Sequence, residues 1–527
     1  MVDVYTVITI GIILTATLEN IWPLIAGYSQ TPRGFVFLGT VHHPADYFYY
    51  LSQFAQGSYR FITSVNLFSG EQAAPTFVGW SNVLAGRIFY MVGFSPFMAY
   101  HVSVFVFTVL LFIAGYLLLS AMMPKRPATL ALFLFALFHA FPVLRDGQRS
   151  YGDYWNNFAV PRVRFGGVPH QLLLTTASFL MVYFFIIWIQ RKNHAWHVLA
   201  GLGVSSLILA SLQPVLWVLV TGIAGLSVCT HMLITTKRIT SILRVTTPVR
   251  LWLTVFISGL PPLFYLNRLF SALPFSQLRL WEAHAQTALT PEHVITATGP
   301  ILLIALFSLP HFITRPSFAS LFTGIFSVVS FFLFLSPIPQ LIGISHVRFM
   351  SALTILCISG IAAHGITSLW QSRTRIARIS GILIFAGTIA LLIPNHFKTL
   401  ELSTRFDPNN AYYYLTNTDY EFLKAAGSIG NPEDTFLVAW PYNSMFPAIA
   451  GRRTFHGHPL LTINSAQKDA LASRALGGSM TPSELRQFLK DSHISYVLTV
   501  ADTRAFSTVP FLTRVAASKN LVVYRVL

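Results

Sequence analysis

Asp46 is the single carboxylate in HHPADYFYYLSQFAQG (residues 42–57), set between two histidines and a run of tyrosines. A carboxylate among aromatic rings is equipped to take the proton of an incoming hydroxyl, because burial tunes its basicity. The same residue has a plainer reading. It precedes an apolar-periodic helix closed by Gly57, so it also suits a helix N-cap, and the two roles are compatible. His42, His43 and Asp46 are types that bind a divalent metal. Histidines adjacent in sequence rarely point at one ion, however, and a polar interfacial pair is the ordinary alternative.

Three further groups carry chemistry. The stretch LRDGQRSYGDYWNNFAVPRVRFGGVPHQ (144–171) holds Asp146, Asp153, Arg145, Arg149, Arg162, Arg164 and His170. It reads either as a solvated loop or as a surface for sugar hydroxyls or a metal. Arg348 in SHVRFM (345–350) stands beside His346. A guanidinium near hydrocarbon needs an anion or a route to the headgroups, and a phosphate held by both arms of the fork is the natural anion. The segment GRRTFHGHPLLT (451–462) concentrates Arg452, Arg453, His456 and His458, facing either a cavity or solvent.

These residues need elements to hold them. Of 527 residues, 54% are hydrophobic and 10% charged, with mean hydropathy +0.60. A soluble chain carries roughly 25% charged residues, so this composition is that of a polytopic α-helical membrane protein. Cys229 and Cys357 lie in apolar runs and imply no disulfide framework. Eleven apolar stretches match the length of a span: 4–22, 97–122, 129–144, 171–190, 196–212, 215–234, 251–269, 296–313, 317–336, 346–370 and 378–395. The first lacks the basic start and small-residue cleavage site of a signal peptide and is expected to be a retained anchor.

Orientation follows from the basic gaps. PKRPA (124–128), RKNHAWH (191–197), TTKRITSILRVTTPVR (235–250), TRPS (314–317) and QSRTRIAR (371–378) contain twelve Lys/Arg and no Asp/Glu. Eleven spans with a cytoplasmic N-terminus put all five on the cytoplasmic side. The charge of +17 is therefore a topology signal and not a nucleic-acid surface. Counting 76–94 as another span would reverse that, so it is expected to be an amphipathic helix at the outer interface. Long outer segments then cover 23–96, 145–170 and 270–295, with a short one at 337–345.

The composition changes at residue 396, dividing the chain into a membrane domain (1–395) and an extracytoplasmic α/β domain (396–527). In the latter, helices are expected at 418–430 (Thr418 as N-cap, Gly430 as stop), 444–451, 465–478 and 481–493. The last opens on a capping box. Strands are expected at 435–440, 494–500 and 521–527.

Several stretches carry a resemblance: DYFYYLSQFAQG, WSNVLAGRIFYMVGFSPFMAYH (80–101), VPHQLLL (168–174), VRFM and AWPYNSMFPAIAGRRTFHGHP (439–459). With the architecture, they make the chain resemble the GT-C superfamily of integral-membrane glycosyltransferases. That resemblance implies a polyprenyl-phosphate or pyrophosphate sugar donor, chemistry on the outer face of the plasma membrane and a first-loop aspartate as base, matched here by Asp46. It implies Arg348 as donor-phosphate ligand, with Arg145 and Arg149 in support. Asp153, Asp146, His43, His170, His346 and Tyr47 would line the substrate site, and His42, His43, Asp46 and Asp153 are the candidates should a divalent metal be needed. The sequence departs from relatives in lacking a second carboxylate beside Asp46, an Asp-x-Asp in the second loop and a Trp-Trp-Asp in the tail. The expected reaction is inverting transfer to a hydroxyl of a glycan, lipid or protein. The rival readings are a transporter or flippase of lipid-linked sugars, marked by ionisable groups at mid-membrane, and a non-catalytic envelope assembly protein.

Overall fold

Apolar runs of twenty or so residues have nowhere to satisfy their backbone in lipid except within themselves, so they become helices. The computed structural model describes all residues except 1–2, 146–147, 152–167, 192–194, 237–246, 285–290, 315, 502–505 and 507. In chain order the helices are α1 (Val4–Ser29), α2 (Pro44–Gln56), α3 (Trp80–Met91), α4 (Pro96–Met122), α5 (Lys125–Ala136), α6 (Pro169–Ile189), α7 (Trp196–Leu212), α8 (Pro214–Thr236), α9 (Thr247–Leu269), α10 (Phe275–His284), α11 (Pro291–Ile313), α12 (Phe318–Leu335), α13 (Ile338–Leu341), α14 (Ala352–Trp370), α15 (Arg375–Leu402), α16 (Asn417–Ala426), α17 (Tyr442–Ile449), α18 (Ser465–Leu476) and α19 (Pro482–Asp491). The strands are β1 (Phe35–Phe37), β2 (Pro142–Arg145), β3 (Gln148–Tyr151), β4 (Tyr414–Thr416), β5 (Thr435–Val438), β6 (Arg453–Thr454), β7 (Ile494–Val500), β8 (Leu512–Ala517) and β9 (Leu521–Val526).

Among the described residues, eight helices are long and apolar enough to cross a membrane: α1, α4, α6, α8, α9, α12, α14 and α15. Trp196–Leu212 and Thr298–Ile313 are apolar but shorter. The chain is a mostly helical integral membrane protein. The stretch expected as a span at 129–144 instead gives the 12-residue α5, a rise of about 18 Å. Beyond it, Phe141 donates its N–H to the Thr296 carbonyl at 2.6 Å, and Pro142 has no N–H with which to continue a helix.

The chain forms two compact units. The first comprises Met1–Asn20, Val104–Leu269 and Glu282–Leu402; the second comprises Ile21–Ser103, Phe270–Trp281 and Ser403–Leu527. In the first, α6 packs on α7, α7 on α9, α11 on α14 and α14 on α5. Gly299 breaks α11 with φ 67°, and a Cβ there would lie 2.1 Å from the His139 carbonyl oxygen, so both backbone and space require glycine. The span expected over 346–370 is likewise interrupted. Residues His346–Phe349 form a 3-10 turn, and α14 starts afresh on a capping box of Ser351 and Thr354. Arg348 therefore sits on a turn before a helix and not inside one.

The second unit is built on a five-stranded sheet in the order β6-β5-β7-β9-β8. β6, β5 and β7 are parallel; β9 runs antiparallel to β7 and β8. Leu437, Leu485, Leu489, Val497, Val522 and Tyr524 belong to its buried core. α19 begins as expected, with Thr481 and Glu484 in a reciprocal capping box. α16 begins two residues early, because Thr416 is the residue left extended by pairing with Phe35, and its hydroxyl accepts the Asp419 N–H at 3.1 Å. That helix stops at Gly427, where a Cβ would lie 2.5 Å from the Ala450 carbonyl oxygen. β8 had no sequence signal, because as an edge strand it is mostly exposed and lacks an apolar face.

Candidate active site

The second unit positions Asp46 through two glycines. α2 and α3 cross so closely that a Cβ on Gly86 would stand 2.3 Å from the Phe54 carbonyl oxygen, and one on Gly57 2.5 Å from the Arg87 nitrogen. With α2 held this way, its first turn carries Asp46. The helix starts at Pro44, whose missing N–H and fixed φ suit that position. His43 is consequently the N-cap, without a side-chain cap bond, and Asp46 is the third helical residue. The expected N-cap role of Asp46 is corrected: its carboxylate does not close the helix end but reaches across the unit.

Its partner is His458. Nε2 of His458 lies 3.3 Å from Oδ1 of Asp46, while Oδ2 stands 3.9 Å from Nδ1 of His43. The His458 side chain is 4% exposed and that of Asp46 46% exposed, so the imidazole is walled in while the carboxylate stays half-exposed. The rings of Tyr49 and Phe68 stand edge-on to the His458 imidazole at 5.8 and 6.1 Å. Nδ1 of His458 accepts the N–H groups of Leu460 (3.1 Å) and Leu461 (3.3 Å). A nitrogen that accepts two donors carries no proton, which assigns the ring proton to Nε2 and makes it the donor to Asp46.

The loop holding His458 is tied down throughout. The Thr462 hydroxyl donates to the Phe68 carbonyl at 2.6 Å and accepts the N–H groups of Gly457 and His458 at 3.2 and 3.1 Å. Gln277 donates to the Thr462 carbonyl and accepts the Asn464 N–H, both at 3.1 Å. Lys468 joins Glu71 at 2.7 Å and Ser69 at 3.2 Å. Burial works to raise the Asp46 carboxyl, but the His458 hydrogen bond and the nearby imidazoles outweigh it and hold Asp46 below the usual carboxylate value. It is an ionised acceptor at neutral pH.

The other expected site residues are placed as follows. His42 commits Nε2 to the Tyr100 hydroxyl at 2.6 Å; burial first, then His43, depress it to about 4 despite the attraction of Asp46. Tyr47 is fully buried and donates its hydroxyl to the Leu38 carbonyl at 2.7 Å. His43 is 70% exposed beside Asp46. Among the described residues no three His, Cys, Asp or Glu side chains are grouped to hold a metal ion. The set His42, His43 and Asp46 does not fit one, since His42 is already engaged with Tyr100. Arg452 and Arg453, His456 and His458 are all buried, so their loop is not a solvent loop. Arg452 donates to the carbonyls of Gly427, Ile429 and Gly430, closing the end of α16.

In the first unit, Arg348 grips Glu282 with both arms, Nε to Oε1 at 2.6 Å and Nη2 to Oε2 at 3.0 Å. His346 is buried in the same turn, and His170 lies in the first turn of α6. Asp146 and Asp153 lie outside the described residues; Arg145 and Arg149 are described through their backbone in β2 and β3. Sequence reasoning singled out the segment of His458 but paired neither His458 with Asp46 nor Glu282 with Arg348. A pair 412 residues apart leaves no periodic trace.

No family model matches this chain, and no curated protein matches it in sequence. Solved structures do. The apo oligosaccharyltransferase of Archaeoglobus fulgidus aligns with TM-score 0.53 and 12% identity, over 93% of this chain and 69% of that one. The same enzyme bound to an inhibitory peptide and a dolichol-phosphate gives TM-score 0.53 at 13% identity over the same shares. The arabinofuranosyltransferase AftD from Mycobacteria gives 0.51 at 13% identity, over 97% of this chain and 40% of that one. The fold of this chain is that of the GT-C membrane glycosyltransferases.

Proposed function

We propose that this chain is an inverting glycosyltransferase that moves a sugar from a polyprenyl-phosphate or pyrophosphate donor to an acceptor hydroxyl. The observation that carries the reading is Asp46, an ionised, half-exposed carboxylate anchored on one oxygen by a buried histidine. Asp46 takes the acceptor proton as the acceptor oxygen bonds to the anomeric carbon. The bond from that carbon to phosphate breaks, and the lipid phosphate departs with the electron pair. Phosphate is a good leaving group, so no general acid is required. Arg348 is the proposed ligand of the donor phosphate, stabilising charge that grows as the bond breaks. Arg145 and Arg149 are proposed to assist, with Asp146, Asp153, His43, His170 and His346 toward the sugar or acceptor. Support for a lipid donor comes from the dolichol-phosphate complex of the archaeal oligosaccharyltransferase. Reaction on the outer face of the plasma membrane is the orientation that the five basic gaps favour if all eleven apolar stretches cross the bilayer.

The transporter reading has one observation of its own. In the first unit, His396 lies 2.9 Å from His139 and 2.8 Å from Glu19, a hydrogen-bonded chain of ionisable groups on and beside membrane helices. One experiment separates the two. The wild type and Asp46→Asn are reconstituted in vesicles with a radiolabelled polyprenyl-phosphate sugar. Transfer by the wild type and its loss in Asp46→Asn support the base; full transfer in the variant removes Asp46 from that role. Passage of the lipid-linked sugar across the bilayer without transfer favours transport.

A further inference from the structure

We infer that His458 is the positioning residue of this site: it holds Oδ1 of Asp46 through a fixed Nε2–H and so presents Oδ2 as the oxygen that receives the acceptor proton. The inference rests on Asp46 as base and adds what aims it. A carboxylate on the first turn of a helix can swing about its two side-chain torsions, and its two oxygens are otherwise equivalent. Anchoring one removes both freedoms, which is how a pre-oriented base gains over a mobile one.

Three features of His458 serve that task beyond packing. Its Nδ1 is saturated by the amides of Leu460 and Leu461, so the tautomer is enforced by backbone and does not depend on Asp46. Its ring is buried between Tyr49 and Phe68, so water does not compete for Nε2–H. Its backbone cannot drift: a Cβ on neighbouring Gly457 would lie 2.6 Å from the Asn443 carbonyl oxygen and 2.9 Å from Thr454 Oγ1, so the chain passes where only glycine fits. Together these make an imidazole that donates in one direction to one oxygen. Its companion, Oδ2, stands 3.9 Å from Nδ1 of the exposed His43.

Two substitutions divide the ring's functions. His458→Asn puts a carbonyl oxygen near the place of Nδ1, keeping the amides of Leu460 and Leu461 satisfied while removing the donor to Asp46. His458→Gln reaches far enough to offer an N–H near the place of Nε2 but cannot satisfy the two amides. In full-length protein in vesicles, His458→Asn is expected to melt with the wild type yet lose about a hundredfold in kcat. Its KM for the donor should stay unchanged. His458→Gln is expected to melt lower, because buried amides are left without an acceptor, yet to keep more kcat than His458→Asn. The reverse order, with Asn active and Gln inactive, shows that the ring only braces its loop and overturns the inference.

A measurement without turnover stands apart from the glycosyltransferase reading. In protein labelled with 15N-histidine, the resonance lost in His458→Gln should have the shifts of a neutral ring protonated at Nε2. A proton on Nδ1 overturns the positioning role even if Asp46→Asn is inactive. A correct tautomer alongside full activity of Asp46→Asn overturns the base assignment on which this inference depends.

Discussion

The Arg348 guanidinium closes on the Glu282 carboxylate with two near-parallel hydrogen bonds, of 2.6 and 3.0 Å. A carboxylate in that fork occupies the same donor geometry that a phosphate would use, since both present two oxygens to two N–H groups. Glu282 is thus the internal competitor for the anion proposed at Arg348. Replacing it by a neutral isostere, Glu282→Gln, should weaken the competitor and lower the donor KM by about tenfold. Arg348→Ala should raise it. Equal KM values in the wild type and both variants, with only the folded yield reduced, would assign the pair to structure.

The crossing of α2 and α3 should be intolerant of a single methyl group. Gly86→Ala drives a Cβ into the Phe54 carbonyl, a backbone atom that cannot rotate aside, and is expected to destabilise the unit by about 1–3 kcal/mol. Gly222→Ala, with nothing within 4 Å of its Cβ, should leave the melting temperature unchanged or raise it slightly. Thermal melts in detergent compare the two. A Gly86→Ala protein as stable as the parent would show that the helices slide apart at little cost.

His42 gives the fold a pH dependence whose sign is fixed. Held at about 4 when folded against an ordinary 6.5, it stays neutral where the unfolded chain takes up a proton. The unfolded state binds more protons in that window, so stability rises with pH there. The contribution is complete above about pH 6.5 and is lost as pH falls toward 4, at most about 3 kcal/mol. His42→Gln should flatten this part of the stability profile between about pH 7 and 4.5 relative to wild type. An unchanged profile would mean that His42 protonates freely within the fold.

The capping box of α19 supplies a local test in the second unit. Thr481→Ala removes the acceptor for the Glu484 N–H and should cost about 1 kcal/mol without changing transfer. A loss of transfer at unchanged stability would connect this helix to the site in a way its geometry does not suggest.

Much of this protein could be derived from residue order alone, and the reasons are local. A hydrocarbon environment demands long apolar helices, so composition and run length identify a membrane protein without any contact being known. Thr481 and Glu484 lie three apart, within one turn, and their capping box is legible for that reason. Asp46 stood out because residues 23–96 hold one other carboxylate, Glu71. Where helices ended was less accessible: Pro142, the Ser351–Thr354 box and the pairing of Thr416 with Phe35 each stopped or started an element against the apolar pattern. The partners of the chemical groups were not accessible at all. His458 meets Asp46 across 412 residues and Glu282 meets Arg348 across 66, and a side-chain hydrogen bond at such separation imposes no spacing on the chain between. Sequence nominates the ionisable groups; only folding decides which oxygen of Asp46 is anchored, because that depends on where two distant backbones come to rest.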